Sequence, residues 1–412
     1  MQALVFDPPR VRWLLAWLAG RVSPRALLGP LGGLRLREVD EPALPGDSWV
    51  RLRPRLAGIC GSDLSLVMLR NHPATILQCF ATFPSVLGHE NVSEIVAVGA
   101  DVRDWRVGQR VCVDPCLSCR PRHIQPLCAQ CAAGRPSLCE NPDRGDLPAG
   151  LILGVCGRTG GTWSSSFVAH ASQLIAVPDS VSDEIAVLVD PVACAAHAVL
   201  RRPPRDGERV LILGGGIVAL GVMAAIRALS CRNRVIAIAR HADQVDRLRR
   251  FGADDVRVHP RDWQTARRYD DVAAALGGRR RAARFGNQAF LGGAELTYDC
   301  VGMGASLTDA MKWTAARGTV CLVGTTQIAV VDVTPLWLNE LHMVGCNGRQ
   351  IEVVDARPRH TYDVVFDWLA SGRINLNGLL THRFPLRDYR AAFEMLIQRG
   401  GRGVVKVAFE PG

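Results

Sequence analysis

A wholly apolar run, Val210-Leu211-Ile212-Leu213, leads straight into Gly214-Gly215-Gly216-Ile217-Val218-Ala219. No other stretch restricts the fold of this 412-residue chain so tightly. A strand that is apolar at every position, rather than every second one, is buried on both faces, as in a parallel sheet. Gly214 permits the tight turn and Gly216 lets the backbone approach a ligand closely. Val222 to Leu229 then reads as a helix, and a second apolar strand follows from Val235 to Ala239. Strand, G-x-G-x-x-A, helix is the dinucleotide fingerprint in its required context, with Ala219 at the third small position. The helix N-terminus offers free N–H groups and a positive dipole end to a pyrophosphate. The second strand would usually end in an acid that bonds the ribose 2′-hydroxyl. This chain has Ala239-Arg240-His241 there, and Arg240 would attract a 2′-phosphate instead. NADP(H) is therefore expected over NAD(H); a solvated strand-end arginine is the plainer alternative.

Further strands are expected at Ala294 to Cys300, Thr319 to Val323 and His342 to Gly345, with the clearest intervening helix at Ala305 to Ala316. Residues 261–291 are arginine-rich, longer than a connection needs, and without an assignable role. Residues 1–183 have a different character. Ala3 to Phe6, Leu34 to Val39, Ser48 to Pro54, Val92 to Val98 and Arg110 to Val113 read as short strands between Pro/Gly breaks, with a turn at Gly99-Ala100-Asp101. Helices are expected at Thr361 to Ala370 and around Tyr389 to Ile397.

The β-rich part carries two cysteine-containing patterns. One is Gly58-Ile59-Cys60-Gly61-Ser62-Asp63 followed by Leu87-Gly88-His89-Glu90. Thiolate, imidazole and carboxylate together suit zinc, and three protein ligands with an open position describe a catalytic site. A buried cysteine and an unrelated histidine would be the bland reading. The other pattern is Cys119-x8-Cys128-x2-Cys131-x7-Cys139, four thiols in one loop, which makes a closed structural zinc site. Cys112 and Cys116 compete for the first place in it. A nucleic-acid-binding zinc ribbon would need two paired knuckles in basic, aromatic surroundings, and these are not evident. The chain has 14 cysteines, and most others sit in apolar runs such as Asp299-Cys300-Val301 and Val320-Cys321-Leu322. Ligands plus buried thiols fit that distribution better than a disulfide framework.

The net charge is +10, carried by arginine, since Lys312 and Lys406 are the only lysines. The basic residues are scattered, so no nucleic-acid footprint is seen. Val11 to Ala19 is largely apolar, with Arg10 and Arg12 at its start, but is too short to span a bilayer. Because Ala3 to Phe6 already reads as a strand, Val11 to Leu28 is expected to be a helical insertion on the surface or over the cleft. No membrane partner is expected, and a cytoplasmic location is.

Together these motifs resemble the zinc-dependent medium-chain alcohol dehydrogenase family, from Ala3-Leu4-Val5-Phe6 to Thr381-His382-Arg383-Phe384-Pro385-Leu386. The resemblance implies an α/β chain in two parts. A GroES-like β-barrel catalytic domain (1–183, returning at 352–412) would flank a Rossmann domain (184–351). It implies Cys60 and His89 as catalytic-zinc ligands, Glu90 ligating or near the metal, and Asp190, in Val189-Asp190-Pro191, where polyol- and threonine-type members have Glu-Pro-Leu. Ser62 matches the proton-relay hydroxyl. The histidine usually five residues after the first ligand is replaced by Ser65, and His72 lies nearby in an insertion. Cys119, Cys128, Cys131 and Cys139 match the structural-zinc ligands, although eight residues separate the first two where the family has two. Val301 and Gly324 fall among the cofactor-binding positions. Two zinc ions per chain, a small alcohol or carbonyl substrate and a homodimer or homotetramer follow from the resemblance. The stretch Leu64 to Phe83 is longer than in common members. Its apolar residues, among them Leu66, Met68, Leu69, Ile76, Leu77 and Phe80, either line a wide substrate pocket or pack locally. Zinc-free double-bond reductases, a lyase or epimerase, and a non-catalytic dinucleotide binder are the rival readings.

Overall fold

The computed structural model describes residues 1–9, 11–398 and 400–412; Arg10, at the head of the apolar segment, lies outside them. Six parallel strands form one sheet in the order Asp255–Val258, Val235–Ala239, Val210–Leu213, Ala294–Asp299, Thr314–Leu322, His342–Gly345. The strand order therefore reverses at Val210–Leu213, and in open sheets of this kind ligands bind at the carboxyl ends of the strands flanking that point, here Val210–Leu213 and Ala294–Asp299. Gly214 lies at that point with φ +120°, a conformation L side chains avoid. The following helix runs Ile217–Ala228 and so begins five residues before the expected Val222. Its first turn is Ile217-Val218-Ala219, whose apolar side chains hide a helix start in sequence. The arginine-rich stretch 261–291 resolves into a helix, Thr265–Leu276, and a hairpin of Arg279–Ala282 with Gln288–Leu291.

The barrel sheet is ordered Leu380–Pro385, Lys406–Glu410, Trp49–Gly58, Glu90–Val98, Arg110–Val113, Leu174–Ala176, with Phe167–His170 also paired to Trp49–Gly58. The last strand of the chain thus lies against the strand that leads to Cys60. Alternation in Trp49–Gly58 puts Val50, Leu52 and Leu56 inward while Arg53 and Arg55 face water. A smaller sheet joins Leu34–Glu38, Gln2–Phe6 and Ser85–Val86.

A helix absent from the sequence reading, Val189–Arg201, connects the two parts. It packs in one continuous core with Val210, Ile212 and Leu220 of the parallel-sheet region and with Tyr362, Val365, Phe366 and Trp368 of the helix Thr361–Ala370. That later helix is therefore buried against the nucleotide-sheet side, and the chain rejoins the barrel sheet with Leu380–Pro385. The insertion at 11–28 forms the helix Trp13–Val22 and a 3-10 turn Pro24–Leu28. In the second insertion, Met68 is buried in the barrel core and Leu66 and Leu69 pack against it. Phe80 is half-buried, and Ile76 and Leu77 face solvent.

Candidate active site

Three segments converge at Gly58. It stands opposite Glu90 on one side and Ala408 on the other. Only glycine fits: a Cβ there would lie 2.2 Å from a Glu90 oxygen and 3.1 Å from Lys406 Cε. Two residues on, Cys60 caps the helix Gly61–Val67. Asp63, in the first turn, accepts the Cys60 backbone N–H at Oδ2 (3.0 Å) and places Oδ1 3.4 Å from His89 Nδ1. One carboxylate thus fixes both the thiol-bearing turn and the imidazole, leaving the other ring nitrogen for a metal. One donor atom from each of Cys60, His89 and Glu90 lies within 4.8 Å of the others. His89 and Glu90 are buried, and Cys60 is half-buried.

The electrostatics are those of a charged cluster in a dry place. Burial opposes a proton on His89, but Asp63 and Cys60 outweigh it and hold its pKa well above the usual value. Burial pushes the Glu90 carboxyl up, against the pull of Lys406, whose ammonium contacts it directly. Lys406 is only 3% exposed; burial would strip its proton, but the negative charge of Glu90 and Cys60 raises its pKa instead. Apart from that contact, neither Glu90 oxygen has a hydrogen-bond partner among the described residues. A desolvated carboxylate with one oxygen on Lys406 and the other uncommitted, beside a thiol and an imidazole held by a carboxylate, fits a zinc ion.

Asp190 does not join this group. Arg349 Nε reaches its Oδ1 at 2.7 Å and Nη2 its Oδ2 at 2.9 Å, and the Tyr362 hydroxyl donates to it as well. Both oxygens of this buried carboxylate are engaged by a buried guanidinium. Asp190 is thus placed in an ion pair with Arg349 and outside the group formed by Cys60, His89 and Glu90. Arg349 extends the network: its backbone N–H donates to Ser137 Oγ (3.1 Å), its carbonyl accepts from the same hydroxyl (2.8 Å), and Asp114 Oδ1 stands 4.0 Å from Nη1.

Ser62 and Ser65 are half-buried on the helix that starts at Cys60. His72 is exposed, and its Nδ1 accepts the Ala74 N–H. Around it the insertion touches the nucleotide-sheet part: the His72 N–H donates to Gln327 Oε1 (2.6 Å), and Gln327 Nε2 donates to Asn71 Oδ1 (3.1 Å).

At the crevice, Gly216 caps the helix Ile217–Ala228 and has open space around it, while Ala219 is buried in that helix. Val301 and Gly324 follow the strands Ala294–Asp299 and Thr314–Leu322 and face one another, with ideal Cβ positions too close for anything larger at Gly324. Arg240 is exposed just past the strand Val235–Ala239. Burial of part of its guanidinium and the nearby charges of Arg268 and Arg261 lower its pKa.

The thiols of Cys119, Cys128, Cys131 and Cys139 form the second cluster, also within 4.8 Å of one another. Cys112 and Cys116 are placed elsewhere, bonded to Ala186 O and to Ser137 Oγ. The thiol of Cys128 is opposed by burial but held down at about 7 by backbone N–H groups of Glu140 and Cys131. Arg122, inside the eight-residue spacer, is fully buried and donates to the carbonyls of Leu117, Arg144, Leu147, Pro148 and Gly150. A single guanidinium thus closes the widened loop, which has little apolar core of its own. Three residues that matter here escaped the sequence reading. Lys406 carried a signal, a lysine inside the apolar run Val404-Val405-Lys406-Val407; Asp63 and Arg122 carried little.

Known proteins resemble this chain along most of its length. The family model for the alcohol dehydrogenase GroES-like domain matches residues 46–179, and that for zinc-binding dehydrogenase matches 218–371, together well over half the chain. L-idonate 5-dehydrogenase of Vitis vinifera is 28% identical over 92% of this chain and 92% of its own length. Sorbitol dehydrogenase of Arabidopsis thaliana is 27% identical over 94% of this chain and 96% of its own. An alcohol dehydrogenase of Escherichia coli CFT073, solved with NADH, shares the fold with a TM-score of 0.73 at 24% identity, covering 100% of this chain and 99% of that one. The chain belongs to the zinc-dependent medium-chain dehydrogenase family, oxidoreductases that move hydride between an alcohol or carbonyl and a nicotinamide cofactor.

Proposed function

We propose that this protein reversibly oxidises a secondary hydroxyl of a polyol or sugar acid, with NADP(H) preferred and two zinc ions per chain. Cys60, His89 and Glu90 would hold the catalytic ion, and Cys119, Cys128, Cys131 and Cys139 the structural one. A zinc ion so held supplies Lewis acidity that makes a hydroxyl acidic near neutral pH, and nicotinamide supplies the hydride acceptor. The chain's residues do the rest. Asp63 orients His89. Lys406 offsets the negative charge that Cys60 and Glu90 bring to a buried place. Ser62 takes the substrate proton and passes it outward, with Ser65 next on the same helix. Gly214 and Gly216 would seat the pyrophosphate at the helix N-terminus, Ala219 lets that helix pack closely on the strand, and Val301 and Gly324 would border the cofactor. The sugar class is supported by the relatives named for idonate and sorbitol.

The cofactor preference is supported by Arg240, which stands close to Arg261 and Arg268. A 2′-phosphate would relieve that repulsion. A homodimer or homotetramer is supported by the strand His342–Gly345, paired on one side only and close in sequence to exposed Trp337 and Leu338. A reducing, cytoplasmic setting is supported by 14 free cysteines. Among the described residues, no helix is long and apolar enough to cross a membrane.

The observation that carries this reading is the convergence of three donor atoms within 4.8 Å at Gly58, in a chain whose parallel sheet has the dinucleotide strand order. The test is nicotinamide reduction by the purified zinc-loaded protein across a polyol panel, with NADP and NAD compared. Turnover with NADP and a polyol is expected; no turnover on any alcohol would remove the proposal.

A further inference from the structure

The segment Val11 to Leu28 takes no part in either cluster. Its helix, Trp13–Val22, is seated by one side only. Ala16 is fully buried, and Gly20 lies so near Leu27 that a Cβ there would come within 2.6 Å of Leu27 Cδ1. With about 3.6 residues per turn, Leu14, Leu15, Leu18 and Val22 share the opposite side. All four are exposed, at 59%, 60%, 48% and 90%. Arg12 and Arg21 border this stripe, one on each edge, and Arg25 follows; all three are exposed. Arg21 stacks over Trp17 at 4.5 Å, and Trp17 stacks on Trp13. Between Pro8 and Arg37 the sequence has six arginines and no acid.

An outward leucine stripe flanked by arginines and tryptophans is the pattern of a helix that lies in a lipid headgroup layer. Charge separates the possible occupants. A second copy on a two-fold axis would set this face against itself, arginine against arginine. An anionic bilayer answers both the stripe and its rim. We propose that the helix Trp13–Val22 docks the protein on an anionic phospholipid surface, with the leucines in the acyl–headgroup boundary and Arg12, Arg21 and Arg25 on the phosphates. The segment's shortness excludes spanning a bilayer but not lying on one, so the expectation of no membrane partner is revised here.

Flotation of the full-length protein with vesicles tests this. The protein should rise with vesicles of equal parts phosphatidylcholine and phosphatidylglycerol, remain below with phosphatidylcholine alone, and release at high salt. A Leu14→Ser/Leu15→Ser/Leu18→Ser variant, and separately an Arg12→Glu/Arg21→Glu variant, should each bind roughly tenfold less, with turnover and circular dichroism unchanged. Failure of the wild type to float with anionic vesicles would overturn the proposal, as would flotation of both variants equal to that of the wild type. Sedimentation that shows the serine variant breaking up a wild-type oligomer would instead make the face a contact between copies.

Discussion

Two metal-type clusters lie in the same barrel half and differ in almost every physical respect. The four thiols at 119–139 come from one loop, are partly open to water and receive backbone N–H groups. The trio comes from two distant segments, Cys60 at a helix start and the neighbours His89 and Glu90 at a strand start, and has a carboxylate on one side and a lysine on the other to balance its charge. A closed set of four ligands holds a loop in shape; an incomplete set in a dry place is built to bind something else. Arg349 ties the two together, since it pairs with Asp190 near the trio and with Ser137 in the cysteine loop.

The contrast predicts opposite losses. Cys60→Ser should remove one zinc and lower turnover by roughly a thousandfold, several kcal/mol of lost activation, while the unfolding temperature stays close to wild type. Cys131→Ser should remove the other zinc and lower the unfolding temperature, with turnover per folded molecule retained. Metal analysis alongside calorimetry and kinetics distinguishes them; a shared phenotype would erase the distinction.

Breaking the tie comes next. Arg349→Met strands the Asp190 carboxylate, and removal of one partner of such a buried pair costs about 3–5 kcal/mol. Urea denaturation measures it. Asp114 adds a smaller, pH-dependent share. Burial opposes its ionisation, but His360, bonded at 3.1 Å, and Arg349 bring its pKa down to about 2. Its folded value lies below the unfolded one of ~3.9, so it stabilises by about 2 kcal/mol above that pH, a contribution lost as pH falls towards 2. Asp114→Asn should flatten the stability profile in that window. The smallest effect concerns the cofactor: Arg240→Asp should shift the NADP-to-NAD ratio of kcat/KM by roughly tenfold towards NAD.

What could be read from the sequence was local. Gly214 to Ala219 and the pair Cys60 and His89 each announce themselves within a few residues, and strands such as Arg110–Val113 and Val235–Ala239 have the expected bounds. What could not be read was pairing across the chain. Lys406 meets Glu90 only because the last strand lies against Trp49–Gly58. Asp190 looks like a ligand in its motif until Arg349 and Tyr362 arrive from the far side of the nucleotide domain. The helix Ile217–Ala228 extends five residues before the expected Val222 because its apolar first turn lacks the polar residues that mark a helix start.

The most direct test is the zinc content of the purified protein and of its Cys60→Ser and His89→Ala variants, measured by mass spectrometry with turnover on the same samples. The account requires two ions per wild-type chain and one in each variant, with activity lost along with the missing ion. One ion in the wild type, unchanged in both variants while turnover persists, would contradict it.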